Sequence, residues 1–278
     1  MIAAILALVS ALGFGTADFI GGRNSSKTHE MVVIAASQVV GLVLVVVAAL
    51  TLGGEPTALD LVYGVVGGQF GFFGLIFLYR GIARGDTAVV APLSAVVGAL
   101  IPVVVGVLTG SRPGLVTWLG VVVAVPAVAL VSGVARLRNR TVTSEALTNG
   151  LLAGLGFGLL FAVFGQTSIE SGVWPVAASR VGSVVVLAIL IRMRGISAKG
   201  VSAIYLPILW IGVLDLLGNL GFVLGTQRGD LVLVTMLTSL YPAVTVVLAR
   251  FVDDHPITRP QTIGLGLAVV AATLLGLG

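Results

Sequence analysis

Apolar stretches about 20 residues long follow one another along nearly the whole chain, and they constrain the fold more than any other feature. The hydrocarbon core of a bilayer is about 30 Å thick, a distance that a helix of roughly 20 apolar residues crosses. With 58% hydrophobic and 9% charged residues, the chain cannot hide this surface in one water-soluble core. The sequence therefore predicts an all-α integral membrane protein. We expect ten transmembrane helices, at residues 2–22, 31–52, 60–82, 86–109, 114–134, 147–170, 174–194, 204–228, 230–250 and 259–278.

Other classes of protein fit this pattern poorly. A membrane β-barrel would show roughly ten-residue segments of alternating polarity, whereas the apolar runs here are continuous. The connections between the runs are short, so we expect no soluble domain. The first run has no basic residues before it and contains Asp18, so we expect no cleavable signal peptide. The chain has no cysteine, which excludes disulfides and thiolate metal sites.

The two halves of the chain carry similar short phrases in the same order. Each phrase in the first half returns 143 or 144 residues later, and so constant a spacing indicates an internal duplication. The phrases are ALGFG (Ala11–Gly15) and GLGFG (Gly154–Gly158), ARGDTAVV (Ala83–Val90) and QRGDLVLV (Gln227–Val234), and TWLGVVVAV (Thr117–Val125) and QTIGLGLAV (Gln261–Val269).

The duplication predicts how the helices are grouped. Residues 1–134 and 147–278 are expected to form two five-helix repeats, joined by a basic linker loop at 135–146. Because each repeat has an odd number of helices, the second must enter the membrane from the side opposite to the first. Inverted repeats of this kind are typical of secondary transporters, whose binding site lies near the membrane midplane between the repeats.

The repeated phrases also resemble those of a known family. The stretches LGFGTADF, RGDTAVVAPLSAVVGALIP (Arg84–Pro102) and RGDLVLVTMLTSLYP (Arg228–Pro242), with the TWLG and QTIG starts of the last helix in each half, resemble the EamA-type members of the drug/metabolite transporter superfamily. The resemblance implies ten helices, inverted five-helix repeats and export or exchange of small molecules.

The chain departs from the family pattern in two places. The acidic residue expected before the last helix of each half is Ser111 in the first half and Asp253 with Asp254 in the second. The arginine early in the second helix of a repeat is present as Arg180, but Gln38 occupies its place in the first half.

Basic residues are distributed unevenly between the connections. Those after helices 1, 3, 5, 7 and 9, which we call the odd connections, hold twelve Lys and Arg residues, whereas the even connections hold only Arg112 and Arg228. Because basic loops remain in the cytoplasm, we expect a multi-pass protein of the cytoplasmic (inner) membrane with both termini extracytoplasmic, although many relatives are thought to have cytoplasmic termini. The net charge of +4 is then a signal of topology, and no nucleic-acid partner is expected. The twelve residues are Arg23, Lys27, Arg80, Arg84, Arg136, Arg138, Arg140, Arg192, Arg194, Lys199, Arg250 and Arg259.

Three ionisable residues lie within the predicted helices, where each costs about 2.5–3.5 kcal/mol to insert. Asp215 is the deepest, and it could carry a coupling proton or face a cationic group of the substrate; the structural alternative is a pair with Arg180, or hydrogen bonds to serines and water. Arg180 could hold a substrate carboxylate or neutralise an acid of the bundle. Asp18, near the cytoplasmic end of its helix, could reach water or Arg23, and structural and functional roles both stay open.

The polar positions differ between the repeats, and this predicts where the site lies. A transporter binds an asymmetric substrate, so we expect its site at positions where the two copies no longer agree. Gln69 and Asn219 are expected to surround Asp215 at the centre of the cavity, with Asp215 carrying the coupling charge. The differing pairs are Asp18 with Phe161, Gln38 with Arg180, and Gly71 with Asp215.

Prolines supply a second group of candidates. A proline inside a helix removes a backbone hydrogen bond, and the freed carbonyl can line a cavity. Ser94, Thr238 and Tyr241 lie beside such prolines and are candidate lining residues. Taken singly, each could equally form a hydrogen bond between helices.

The leading prediction is a secondary active transporter that moves a small metabolite or drug-like molecule by alternating access, in proton-coupled export. The alternative is a flippase for an amphipathic or lipid-linked substrate, and a scaffold or sensor is disfavoured because no signalling domain is present. The sequence contains no P-loop, no HExxH and no hydrolase triad, so no enzyme, catalytic residue, metal or cofactor is expected. The expected partners are a small-molecule substrate, protons and the lipid bilayer, for a monomer or homodimer.

Overall fold

The fold is a helical bundle, seen in a computed structural model that describes residues 1–24, 28–84, 87–132, 143–198, 200–252, 254 and 256–277. Within these ranges ten helical segments are long and apolar enough to cross a membrane, as predicted. The α-helices are α1 (Ile2–Asn24), α2 (Glu30–Leu52), α3 (Ala58–Ala83), α4 (Thr87–Leu108), α5 (Leu115–Ser132), α6 (Ser144–Phe164), α7 (Trp174–Met193), α8 (Tyr205–Thr226), α9 (Leu231–Thr238), α10 (Tyr241–Val252) and α11 (Arg259–Leu277).

The boundaries of the sixth span differ from the prediction of residues 147–170. The helix begins three residues earlier because Thr143 caps it, its hydroxyl accepting a hydrogen bond from the backbone N–H of Ala146 at 3.1 Å. Residues 144–146, assigned to the linker loop from the sequence, are therefore helical. The remainder of that linker, residues 135–142, lies outside the described residues, as do Lys27, Lys199 and Asp253.

The ninth span is broken, whereas the sequence predicted one helix over residues 230–250. Helix α9 ends at Thr238 and α10 begins at Tyr241. Pro242 lies at the second position of α10, where its missing N–H cannot continue the hydrogen bonding of α9. The repeat-related residue is Gly98, and there α4 continues without interruption. The break is thus a property of the second repeat only.

The two repeats interlock through equivalent contacts. Helix α1 packs along α8, and its repeat partner α6 packs along α3, the repeat partner of α8. In the same way α5 packs along its own partner α11, and α2 along its partner α7. Each pairing joins the two halves of the chain, so the ten spans form one bundle of two inverted five-helix repeats.

Glycines set the distance between the paired helices at matched positions. A Cβ atom on Gly13 would lie 2.6 Å from the carbonyl oxygen of Leu214, and a Cβ atom on Gly156 would lie 2.7 Å from that of Phe70. Gly13 is the repeat partner of Gly156, as Phe70 is of Leu214. Only glycine lets backbones approach so closely, which is how small residues act at membrane helix interfaces.

The seam between α5 and α11 repeats this pattern. A Cβ atom on Gly120 would lie 2.7 Å from Cγ of Leu275, and one on Gly264 would lie 2.8 Å from the backbone nitrogen of Val131. Gly120 aligns with Gly264 in the sequence repeat, and Val131 aligns with Leu275. The structure therefore reproduces the register of the sequence repeat at both ends of this helix pair.

Candidate functional site

A cavity lined by both polar and apolar residues lies at the centre of the bundle, between helices of both repeats. About 50 Å³ of it is open to water-sized molecules. Its polar lining comes from α1, α2, α7, α8 and α10 and comprises Asp18, Gln38, Ser179, Arg180, Ser183, Asp215, Asn219 and Tyr241. Its aromatic lining adds Phe14, Phe72, Phe157 and Phe161, of which the sequence analysis named only Phe161, as the repeat partner of Asp18.

Arg180 of α7 is the hub of the polar lining. Its side chain is 4% exposed, and its Nη2 lies 2.5 Å from Oδ2 of Asp215 on α8. Its Nη1 donates a hydrogen bond to Oε1 of Gln38 on α2. The guanidinium is therefore held by two partners inside the bundle, where the low dielectric strengthens both interactions. This is the pairing of Asp215 with Arg180 that the sequence offered as its structural alternative.

The contact between Gln38 and Arg180 locates the pseudo-two-fold axis that relates the two repeats. The two residues are 142 positions apart, one short of the 143 that separates the preceding repeated phrases, so they occupy closely equivalent positions in the two repeats. A residue touches its own repeat partner only where both lie beside the pseudo-two-fold axis. The Arg180 hub is therefore at the centre of the inverted repeat, where transporters of this architecture place their sites.

Asn219 lies one helical turn beyond Asp215 and also faces the cavity. Its Nδ2 donates a hydrogen bond to the backbone carbonyl of Asp215 at 2.8 Å. This bond fixes the amide against its own helix. The amide oxygen makes no hydrogen bond with any of the described residues, so it can accept one.

Asp18 differs from the other two charged residues. It is partly buried in α1, and its carboxylate makes no hydrogen bond or ion pair with any of the described residues. The contact with Arg23 that the sequence allowed is therefore not formed. Asp18 lies in the wall of the central cavity and also in the wall of a second cavity.

The second cavity, which we call the vestibule, has about 360 Å³ open to water-sized molecules. It lies at the end of the bundle that carries the odd connections, which we call the odd end. Tyr241, at the start of α10, shares with Asp18 the boundary between the vestibule and the central cavity. The vestibule wall also includes Ser94, Ser132, Thr245, Thr258 and Gln261.

Three of the predicted site residues lie away from the central cavity. Ser94 faces the vestibule instead. Thr238 is fully buried between helices, with its hydroxyl 3.5 Å from the carbonyl oxygen of Ala7. Gln69 lies in the seam between α3 and α7, where its Nε2 donates to the carbonyl of Val65 at 3.1 Å. The sequence analysis expected Gln69 beside Asp215 in the cavity, but Gln69 is not among the described residues that line it.

The opposite end of the bundle, the even end, contains a polar cluster that the sequence analysis missed. Asp60 is 3% exposed, and its Oδ2 accepts hydrogen bonds from the backbone N–H and hydroxyl of Thr57 at 2.9 and 2.7 Å. Its Oδ1 accepts from the N–H of Ser168 at 2.7 Å. Gln227 donates to the carbonyl oxygens of Ser168 and Gly172 at 3.0 and 2.9 Å.

This cluster, which we call the Asp60 cluster, ties together three elements from both repeats: the start of α3, the connection before α7 and the end of α8. A detectable signal was the Thr-x-x-Asp spacing of Thr57 and Asp60, which is typical of a capped helix start. The contact with Ser168 could not be foreseen, because that residue is 108 positions away.

The fold and site together define a class of protein: a multi-pass membrane transporter built from two inverted repeats around a central polar cavity. Both halves of the chain, residues 1–133 and 145–277, match the model of the EamA-like transporter family. The chain belongs to this family, and its substrate is accordingly a small molecule.

The chain was also compared with solved structures and with curated proteins. A solved structure described only as "Crystal structure of protein" superposes with a TM-score of 0.79 over 99% of this chain and 96% of its own, at 17% sequence identity. At that identity the likeness establishes the fold alone. No curated protein matches the chain by sequence.

Proposed function

We propose that this transporter works by alternating access and exports a small organic molecule in exchange for protons. The observation that carries the proposal is the difference between its two ends. The central cavity borders a vestibule at the odd end, whereas at the even end the Asp60 cluster joins helix ends of both repeats by hydrogen bonds. A binding site that faces one side and is sealed from the other is what one conformation of an alternating-access cycle requires.

The proposed direction rests on charge. The odd connections hold twelve of the basic residues, so the vestibule is assigned to the cytoplasmic side and both termini to the outside of the cytoplasmic membrane. Substrate then enters from the cytoplasm. A reporter active only in the cytoplasm and fused to the C-terminus is expected to give no signal, and a strong signal would reverse the assignment.

Residues 1–134 and 147–278 are the proposed moving units, with the segment 135–146 as their covalent link. Since every major helix pairing joins one repeat to the other, rocking must slide these seams against one another. The glycines of the α1–α8 and α3–α6 seams leave few side chains to interlock there.

Asp215 is the proposed proton-coupling residue. Its carboxylate is paired with Arg180, which in turn holds Gln38. Protonation of Asp215 would remove the negative partner of Arg180 and weaken the link between α7 and α8, two helices of the second repeat, and so alter the hub that also reaches α2. Protonation of Asp215 would thereby change the contact between Arg180 and Gln38 beside the pseudo-two-fold axis.

Proteoliposomes test this assignment. Efflux of a radiolabelled panel of amines, amino acids and carboxylates is measured with and without a pH gradient. Asp215→Asn is expected to abolish accumulation driven by the gradient while retaining part of the solute exchange. Asp254→Asn is the matched control, because Asp254 is 95% exposed at the odd end and does not line the central cavity. Proton-driven accumulation by Asp215→Asn at the level of the control would contradict the assignment.

A flippase is the second candidate, and one observation favours it. An apolar groove of about 400 Å³ opens towards the bilayer between α2 and α8, lined by residues that include Val40, Trp210 and Val213. Behind it, a Cβ atom on Gly41 would lie 3.4 Å from Nε of Arg180. Lateral entry of a lipid tail would use this groove. Scrambling of a fluorescent phospholipid by the reconstituted protein supports a flippase, and its absence alongside solute flux supports export.

A further inference from the structure

The charged residues of the central cavity indicate the chemical class of the substrate, and this inference rests on the proposed transport function. Among the described residues that line the cavity, the charged side chains are Asp18, Arg180 and Asp215. Arg180 and Asp215 form an ion pair. One carboxylate, that of Asp18, is left without a partner among the described residues.

Arg180 is poorly placed to bind a substrate carboxylate. Its two terminal nitrogens are engaged by Asp215 and Gln38, and its side chain is 4% exposed. Its Nε is buried beside Gly41 of α2, 3.4 Å from the position that a Cβ would take there, and has no hydrogen-bond partner among the described residues. To bind an anion through its terminal nitrogens, the guanidinium would have to give up Gln38, which is 6% exposed, or Asp215, whose side chain is 20% exposed. Leaving either group unpaired inside the bundle is costly.

The rest of the lining suits a flat or apolar body. Phe14, Phe72, Phe157, Phe161 and Tyr241 all line the cavity. The rings of Phe14 and Phe161 have centroids 5.7 Å apart and are tilted by 59°. Aromatic faces take up flat apolar groups and also attract cations.

One of the phenylalanine rings that line the cavity packs against a second ring outside the lining. The ring of Phe161 packs on that of Phe222, with centroids 4.5 Å apart. Phe222 is fully buried and lies outside the cavity lining. Phe161 is therefore held in place as a fixed part of the wall.

Because the two repeats differ, the cavity lining is acidic on one side and aromatic on the other. Asp18 and Phe161 occupy the same position in the two repeats, yet one is an acid and the other a ring. Asp18 also borders the vestibule, so a cationic group bound to it would lie towards the odd end. An apolar group on the same molecule would lie across the pseudo-two-fold axis, towards Phe161.

We propose that the central cavity binds an organic cation: an amine with an aromatic or apolar body, whose ammonium group pairs with Asp18 and whose body packs on the phenylalanine rings. Asp215 keeps its pairing with Arg180 while the amine is bound. Substrate charge and coupling proton are thus taken up by two different carboxylates.

Three probes that share one ring test the proposal without any variant. Binding of 2-phenylethylamine, phenylalanine and 3-phenylpropionate to the purified protein is measured by calorimetry. 2-Phenylethylamine is expected to bind at least about tenfold more tightly than 3-phenylpropionate, because its ammonium group can pair with the carboxylate of Asp18. Phenylalanine, which carries both charges, is expected to bind with intermediate affinity. Tighter binding of 3-phenylpropionate would overturn the proposal.

Variants then locate the ammonium group. Asp18→Asn is expected to weaken binding of the amine by about tenfold or more, because it removes the charge partner. Binding of the neutral 2-phenylethanol is expected to be unchanged by the same substitution, and Asp18→Glu is expected to retain amine binding. Equal affinity of wild type and Asp18→Asn for the amine would overturn the role of Asp18.

These measurements separate the proposal from the transport function on which it rests. Binding of the amine without flux in proteoliposomes would support the substrate class and contradict transport of that ligand. Proton-coupled flux of 3-phenylpropionate but not of the amine would support the proposed function and contradict the substrate class.

Discussion

Equivalent positions in the two repeats fall into two groups, one along the helix seams and one around the central cavity. Along the seams the copies match: Gly13 and Gly156 each meet a carbonyl oxygen of the opposite repeat, 2.6 and 2.7 Å from where a Cβ would lie. Around the cavity they differ, as Arg180 faces Gln38 across the axis. The matched positions build a symmetric scaffold, and the differing positions make the lining of its central cavity asymmetric.

The largest expected effect comes from breaking the match at the seams. Gly13→Val and Gly156→Val each place side-chain atoms against a backbone that cannot move aside. We expect each to destabilise the protein by about 3 kcal/mol or more, in the upper range for overpacking, and to lower the yield of folded, monodisperse protein. Thermal unfolding in detergent measures the effect.

Gly266→Ala serves as the control for this pair. Gly266 also lies in a spanning helix, α11, but a Cβ atom there would meet nothing within 4 Å. Its substitution is expected to leave the melting temperature unchanged or slightly higher. If Gly13→Val melts at the temperature of Gly266→Ala, the seams do not depend on close backbone contact.

The next effect concerns the asymmetric centre. Arg180→Gln gives the second repeat the residue that the first repeat has at Gln38, and it leaves Asp215, whose side chain is 20% exposed, without its cation. Loss of one partner of a buried ion pair costs about 3–5 kcal/mol. Asp215→Asn is expected to cost less, because the amide oxygen can still accept a hydrogen bond from Arg180.

The double variant Arg180→Gln/Asp215→Asn sharpens this prediction. It removes both charges, so its destabilisation is expected to be smaller than the sum of the two single effects by about 0.5–3 kcal/mol. Chemical or thermal unfolding of the four proteins completes the cycle. Strict additivity would mean that the contact between the two side chains contributes nothing to stability.

The sequence predicted the scaffold well because its signals are repeated. Ten apolar runs and a constant spacing of 143 or 144 residues were sufficient for ten spans in two inverted repeats. The same alignment selected Asp18, Gln38, Arg180 and Asp215, which the structure brings to one cavity. Comparing the two repeats identified cavity residues because equivalent positions close to a two-fold axis lie near each other in the structure.

The remaining features depend on side-chain direction and distant contacts, which a one-dimensional pattern does not contain. The helical period placed Gln69 on α3 but did not show that it turns to the α7 seam. Pro242 indicated a disturbed helix, and only the structure shows that the span stops between Thr238 and Tyr241. The phenylalanines of the cavity were indistinguishable from lipid-facing ones in so apolar a sequence.

A smaller effect is expected at the even end, where the repeats also differ: the position equivalent to Asp60 is Ile204. Asp60→Asn weakens the acceptor of the cluster's hydrogen bonds and is expected to cost about 1–3 kcal/mol, enough to open this end more often. Because the chain has no cysteine, Ser183→Cys in the cavity wall supplies a unique thiol.

Labelling of that thiol by a membrane-impermeant reagent reports which end is open. In the Ser183→Cys protein, reaction is expected mainly from the odd end, through the vestibule. Adding Asp60→Asn is expected to increase reaction from the even end several-fold, and adding Asp254→Asn is expected to leave it unchanged. Equal reaction from the even end with and without Asp60→Asn would show that the Asp60 cluster is not what closes it.

The smallest expected effect is at Gln69, whose repeat partner is Val213. Within the described residues, Oε1 of Gln69 is buried and has no hydrogen-bond partner, so the polar group contributes little where it lies. Gln69→Val makes the repeats match at this position and is expected to change stability by less than about 1 kcal/mol, since removing an unsatisfied polar group offsets the lost contacts. Transport of the amine probe is expected to be unchanged, because the side chain points into the α3–α7 seam and not into the cavity. Loss of flux in Gln69→Val with unaltered melting would show that Gln69 turns to the cavity in another conformation of the cycle, and that asymmetry at this position also serves the substrate.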